Sequence, residues 1–224
     1  MVKSSSSRDW IQTHKADSYY KKAKKEGYRA RSAYKLEQLS KKYKLIKAGN
    51  KVIDLGSAPG SWLQILQELV GEKGIVIGVD LKGIKPIEGV NFIKGDMLQN
   101  KTLKRVMAAT EGEPFDVVCS DMSPDISGHY SMDQARSVHL CEMALELAEK
   151  VLRHDGNLIM KIFQGEDFPE FLAKVKPRFK SVNCHTPPAS RKISSETYIV
   201  AKKFRGGKLK KTESQNTAEA DRDQ

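Results

Sequence analysis

Cysteine is scarce in this chain of 224 residues: only Cys119, Cys141 and Cys184 occur, odd in number, far apart and in no metal-ligand spacing. A disulfide framework and a zinc site are therefore excluded, and the three read as buried thiols. No apolar run approaches the roughly 18 residues that a membrane span requires. The opening stretch, "MVKSSSSRDW", has no apolar core of the kind a secretory signal carries. The expectation is a soluble cytoplasmic protein with no membrane partner. Internal repeats and coiled-coil heptads are also missing, which argues against a solenoid or rod and leaves a monomer as the expected state.

What the chain has in excess is positive charge, with a formal net charge of +11. Residues 1–51 hold 15 Lys and Arg against 4 Asp and Glu, whereas the rest holds 24 of each. The same segment carries Tyr19, Tyr20, Tyr28, Tyr34 and Tyr43, five of the seven tyrosines, together with Trp10. Cations meet phosphates and aromatic faces stack on unpaired bases, so this segment reads as a nucleic-acid surface. The plain alternative is a pair of amphipathic helices whose aromatics pack down on the domain. A membrane surface fits less well, since no leucine and phenylalanine stripe is present.

Hydrophobic residues make up 39% of the chain, enough for one domain with a real core. The pattern predicts helices over 9–26 and 30–43, broken at Gly27. Short β-rich runs follow at 51–55, 75–80, 90–94, 115–120 and 157–163, with helical stretches between most of them. The clearest helix is 133–153, where Val138, Cys141, Leu145, Ala148 and Leu152 recur at three- and four-residue steps. After a helix at 166–175, extended runs at 179–185 and 195–203 follow one another and predict an antiparallel hairpin at one sheet edge. This is an α/β pattern: a mostly parallel, Rossmann-like sheet of seven strands with helices on both faces. The expected organisation is a disordered N-terminus (1–7), basic helices (8–48), a catalytic domain (49–204) and a disordered polar tail (205–224).

In such a sheet, ligands bind beyond the carboxyl ends of the strands, where "DLGSAPGSW" follows the first strand. Gly56 and Gly60 are separated by Ser57, Ala58 and Pro59, so the central glycine of a dinucleotide fingerprint is missing, and no P-loop lysine follows. Asp80 ends the second strand, placed to accept from the hydroxyls of a ribose. Asp96 follows the third strand, placed for an adenine amino group, and Asp121 follows the fourth. Each aspartate alone also fits a helix cap or turn former. Three at successive strand ends, without a phosphate lysine, suit S-adenosylmethionine, a cation carrying a ribose and an adenine.

Lys161 is the second anomaly, an ammonium inside the apolar run "GNLIMKIFQG". A buried ammonium without a partner is costly, so it needs a carboxylate, for which Asp121 and Glu196 are candidates. A lysine snorkelling from a strand end and a plain buried ion pair are the structural alternatives. The chemical reading is a lysine that accepts or steers the proton of a hydroxyl nucleophile.

Taken together, "DLGSAPGSW", "VDLKGI", "GDM", "CSDMSP", "MKIFQG" and "SSETYIV", in this order after the basic "RARSAYKLEQL", closely resemble the FtsJ/RrmJ family of RNA ribose 2′-O-methyltransferases over about residues 8–204. The resemblance implies a catalytic tetrad at Lys35, Asp121, Lys161 and Glu196. It places contacts to S-adenosylmethionine at Gly60, Trp62, Asp80, Asp96 and Asp121, with Gly56 in the same loop, and it calls for no metal. Ser57 and Ser61 depart from the alanine and glycine frequent there. The resemblance further implies a uridine of large-subunit ribosomal RNA as substrate, on the 50S particle, with tRNA anticodon-loop ribose methylation as the alternative. From other classes, a nicotinamide oxidoreductase shares the sheet and Asp80 but lacks its glycine here, and a noncatalytic ribosome-assembly factor is disfavoured by the complete tetrad.

Overall fold

The computed structural model describes residues 17–191 and 194–206. Residues 9–16 of the first expected helix, the 1–7 segment and all but two residues of the expected tail lie outside these.

Helices α1 (Ser18–Glu26) and α2 (Ala33–Tyr43) come first. Asp17 caps α1 by accepting from the Tyr20 amide, and Gly27 ends it at φ 80°, the left-handed conformation that glycine adopts at least cost. The core follows as β1 (Lys51–Leu55), α3 (Ser61–Val70), β2 (Ile75–Asp80), β3 (Val90–Lys94), α4 (Asn100–Ala108), β4 (Phe115–Ser120), α5 (Tyr130–Val151), β5 (Leu152–Phe163), α6 (Phe168–Val175), a 3₁₀ turn (Lys176–Arg178), β6 (Phe179–His185) and β7 (Glu196–Phe204). The seven strands lie in the order β3-β2-β1-β4-β5-β7-β6. All run parallel except β7, which lies between β5 and β6 and pairs antiparallel with both. The expected hairpin is there, with its second strand turned inward to meet β5.

Strand alternation divides the core into two layers. Ile53, Leu55, Val118, Leu158, Met160 and Ile199 face a layer covered by α5 and α6. Val52, Val117, Cys119, Ile159, Tyr198 and Val200 face the layer covered by α2 and α3, where Leu36, Leu39, Trp62 and Leu66 pack. Side chains of one parity on adjacent strands therefore meet on one face, at the carboxyl ends of β1, β4 and β5.

Two expectations from the pattern are corrected. The long helix ends at Val151, and Leu152 opens β5 by pairing with Phe115. A register shift with Asp155 at φ 61° then carries the strand round to the Asn157 pairing, so an apolar residue at helical spacing belongs to a strand. Among the cysteines, Cys119 and Cys141 are buried but Cys184, on edge strand β6, is exposed.

The basic segment also differs from its first reading. Tyr34 is buried, and Tyr19 and Tyr28 pack against its ring at centroid distances of 5.5 and 5.7 Å. Its hydroxyl donates to Glu26. Tyr43 rests against His185. The tyrosines thus pin α1 and α2 to the domain, as in the plain alternative, and only Tyr20 remains exposed. Lys21, Lys24, Lys25, Lys41 and Lys44 stay at the surface. The segment presents charge outward and keeps most of its aromatic area inside.

Candidate active site

The loop after β1 is built around close backbone approaches. Gly56 (φ 68°) donates to the Val79 carbonyl at 2.9 Å, and a Cβ there would lie 2.3 Å from Met122 Cγ. A larger residue there would strain this left-handed backbone and push the Met122 side chain aside. Asp80 then ties two loops together, accepting from the Ala58 amide at 2.9 Å and the Lys82 amide at 2.7 Å. Asp96 accepts from the Leu98 amide at 3.0 Å. Arg29, arriving from the segment before α2, donates to the carbonyls of Pro59 and Pro86, each at 2.9 Å, and so bridges the same two loops from outside.

A cavity of about 430 Å³ opens between these loops, lined by Gly56, Ala58, Asp80, Asp96, Asp121 and Met122 among others. Four of the expected cofactor positions, Gly56, Asp80, Asp96 and Asp121, meet there. Gly60 and Trp62 stand behind the loop at the start of α3, outside the cavity's lining. Trp62 is 2% exposed, its indole N–H donates to the Ser32 carbonyl at 2.9 Å, and it stacks on Tyr198.

Beside the cavity lies a polar cluster inside an otherwise apolar layer. Lys161 Nζ donates to the Asp121 carbonyl at 2.8 Å and sits 3.3 Å from its carboxylate. Lys35, on α2, forms a 2.6 Å ion pair with Glu196 at the start of β7. Of the two carboxylates considered for Lys161, Asp121 is its partner and Glu196 belongs to Lys35. All four expected tetrad residues lie on the α2-facing layer, where strand parity brings Lys161 and Glu196 and helix packing brings Lys35.

Two further residues of this cluster were missed in the sequence. Tyr198 pairs in register with Lys161, and its hydroxyl donates to Asp121 Oδ1 at 2.7 Å. Burial, then the nearby Asp121 and Glu196 carboxylates, raise the phenol well above its ordinary value, so it stays a hydrogen-bond donor. Its signal was present: it follows Glu196 by two positions, on the same strand face. Asp54, at the end of β1, is 1% exposed, and neither carboxylate oxygen has a hydrogen-bond partner. Burial, reinforced by Asp121 and Asp80, raises it well above the ordinary carboxylate value.

A raised folded-state value favours the protonated form, so the stabilising effect of Asp54 is present below its unfolded value and is lost as pH rises. At neutral pH the carboxyl costs stability. Asp54→Asn is therefore expected to have a higher Tm than the parent, with a gap that widens from about pH 4 towards pH 7. Melting curves across that range check this, and parallel curves at all pH values count against it.

Residues 28–204 match the family model described as FtsJ-like methyltransferase. The chain belongs to the FtsJ-like methyltransferase family. The ribosomal RNA large subunit methyltransferase E of Methanothrix thermoacetophila is 50% identical over 188 residues, covering 84% of this chain and 72% of that one. Its namesake from Methanobrevibacter smithii is 46% identical over 205 residues, covering 91% and 97%. Among solved structures, a Plasmodium falciparum protein described as a ribosomal RNA methyltransferase superposes with a TM-score of 0.72 at 27% identity, covering 80% of this chain and all of that one. An FtsJ-like methyltransferase has to hold a methyl donor beside an acceptor. The cavity and the polar cluster are adjacent, and Asp121 belongs to both.

Proposed function

We propose that this methyltransferase transfers a methyl group from S-adenosylmethionine to the ribose 2′-oxygen of a uridine in large-subunit ribosomal RNA, on the 50S particle. The observation that carries the reading is the junction at Asp121, where a carboxylate-lined cavity meets a buried lysine. The residues present fit the donor. The carboxylates of Asp80, Asp96 and Asp121 line the cavity and favour a cation in it. Asp80 and Asp96, both lining the cavity, keep acceptor capacity for a ribose and an adenine amine.

When bound, S-adenosylmethionine supplies an electrophilic methyl on a sulfonium. The chain's residues do the rest by alignment and by one proton transfer. Lys161 orients the 2′-hydroxyl and, in its neutral form, takes its proton as the oxygen acquires the methyl group. Asp121, held by Tyr198 and Lys161, fixes the lysine's position. Lys35, buried against Glu196, borders the acceptor side and links the basic helices to the reacting centre.

The test is transfer of labelled methyl to purified 50S subunits, free ribosomal RNA and tRNA, with nucleoside mapping. 2′-O-methyluridine in 50S subunits supports the reading, label in tRNA alone moves the substrate to the anticodon loop, and no label in any RNA overturns it. The same assay reads the basic helices. The triple variant Lys21→Ala, Lys24→Ala, Lys25→Ala is expected to raise the KM for RNA and to reduce the slope of log KM against log salt by roughly 2, at about 0.7 per lost phosphate contact. An unchanged slope places the RNA elsewhere.

A further inference from the structure

We infer that Tyr130 is a base-stacking residue whose ring receives an unpaired RNA base next to the nucleotide being methylated. The inference rests on the reading of the acceptor as RNA. Tyr130 opens α5 with 60% of its surface exposed, flanked by Ile126 at 65% and Met132 at 46%. Scattered apolar exposure is ordinary on a protein surface. A fixed aromatic ring beside a reacting centre is not. The Tyr130 hydroxyl donates to the Gln164 carbonyl at 2.5 Å, which takes away the ring's freedom to swing.

The turn before it is equally constrained. Asp133 accepts from the Ser127 amide at 2.8 Å, the Ser127 hydroxyl at 2.7 Å and the Gly128 amide at 3.2 Å. One turn into α5, the Gln134 side chain occupies the space where a Cβ on Gly165 would lie, 2.0 Å away. This lip is continuous with the acceptor cluster. The Gln164 amide donates to the Ser195 carbonyl at 2.9 Å, one residue from Glu196. Gln164 itself is three residues beyond Lys161, about 10 Å along an extended strand, within reach of a neighbouring nucleotide.

The tyrosines of the basic helices are mostly packed inward, so among the described residues Tyr20 and Tyr130 are the only exposed tyrosine, phenylalanine or tryptophan rings. Of these, Tyr130 borders the site. Every base has a π-face, so an immobilised ring gives affinity to single-stranded RNA without demanding a sequence. It also holds the strand unstacked where the ribose must be reached.

The experiment compares Tyr130→Leu and Tyr130→Phe with the parent, using 50S subunits and free ribosomal RNA as acceptors. Tyr130→Leu, which keeps apolar bulk but no π-face, is expected to raise the KM for RNA roughly tenfold with kcat and donor affinity little changed. Tyr130→Phe, which keeps the ring and loses only the tether, is expected to stay within about threefold. A parental KM in a folded Tyr130→Leu variant, or a fall in kcat at unchanged KM, overturns this inference alone. A parent protein that methylates no RNA overturns the acceptor reading and this inference with it.

Discussion

Lys161→Ala is expected to lower methyl transfer by about 10³-fold while leaving RNA and donor binding near parental levels. The size follows from what is removed: a positioned acid–base group contributes about 10²- to 10⁴-fold, and Lys161 is 7% exposed, with the Asp121 carboxylate 3.3 Å away. Water cannot readily take over at a site so enclosed. Truncation also leaves Asp121 with Tyr198 as its remaining side-chain partner, so a modest loss of stability accompanies the loss of turnover. Single-turnover rates, gel-shift titration with RNA and calorimetric titration with the donor separate the contributions. If turnover survives while RNA binding falls, Lys161 serves docking and the assignment of the proton transfer is wrong.

The second large effect concerns the Lys35–Glu196 pair. Both side chains are 11% exposed, so removing one leaves the other charged in a desolvated place, at a cost of about 3 to 5 kcal/mol. For a chain of this size that lowers Tm by roughly 6 to 20 °C. Lys35→Met and Glu196→Leu singly are each expected to show such losses, whereas the double variant recovers much of the stability, because an apolar pair of similar volume suits the surrounding layer. Methyl transfer is not expected to recover with it. Thermal melts and activity across the four members of this cycle decide the matter. A double variant with full activity reduces the pair to a structural strut, and single variants that melt with the parent show that solvent reaches the pair.

The order of elements, the loop after β1 and the buried Lys161 were legible in the sequence because each rests on a local signal: a change of period, a broken glycine pattern, or a lysine among apolar residues; Lys35 was reached only through the family resemblance. What escaped depended on register. Tyr198 carries no anomaly as a single letter, since aromatics are common in strands. Its importance comes from lying opposite Lys161 across an antiparallel pair. Asp54 was read as part of the loop motif, and only the three-dimensional layer shows that nothing bonds to its carboxyl. The Leu152 misplacement has the same origin: an apolar residue at helical spacing also satisfies a strand when the chain turns immediately. The tyrosines of the basic segment were ambiguous because stacking on bases and packing on a core ask for the same residue type.

The position of β7 has a consequence for how the molecule comes into being. In the finished sheet this strand, made after every other, lies between β5 and β6. Until it arrives, β6 has no sheet neighbour, and the strand bearing Lys161 is an open edge with unpaired backbone groups. Because synthesis runs from the N-terminus, a nascent chain that has emerged as far as His185 holds two loose edges and no reacting centre. Insertion of β7 closes both edges in one event and brings Glu196 and Tyr198 to their partners at the same moment. Completion of the sheet and assembly of the proposed reacting centre therefore coincide, and a stalled or prematurely released chain carries an open sheet edge without that centre.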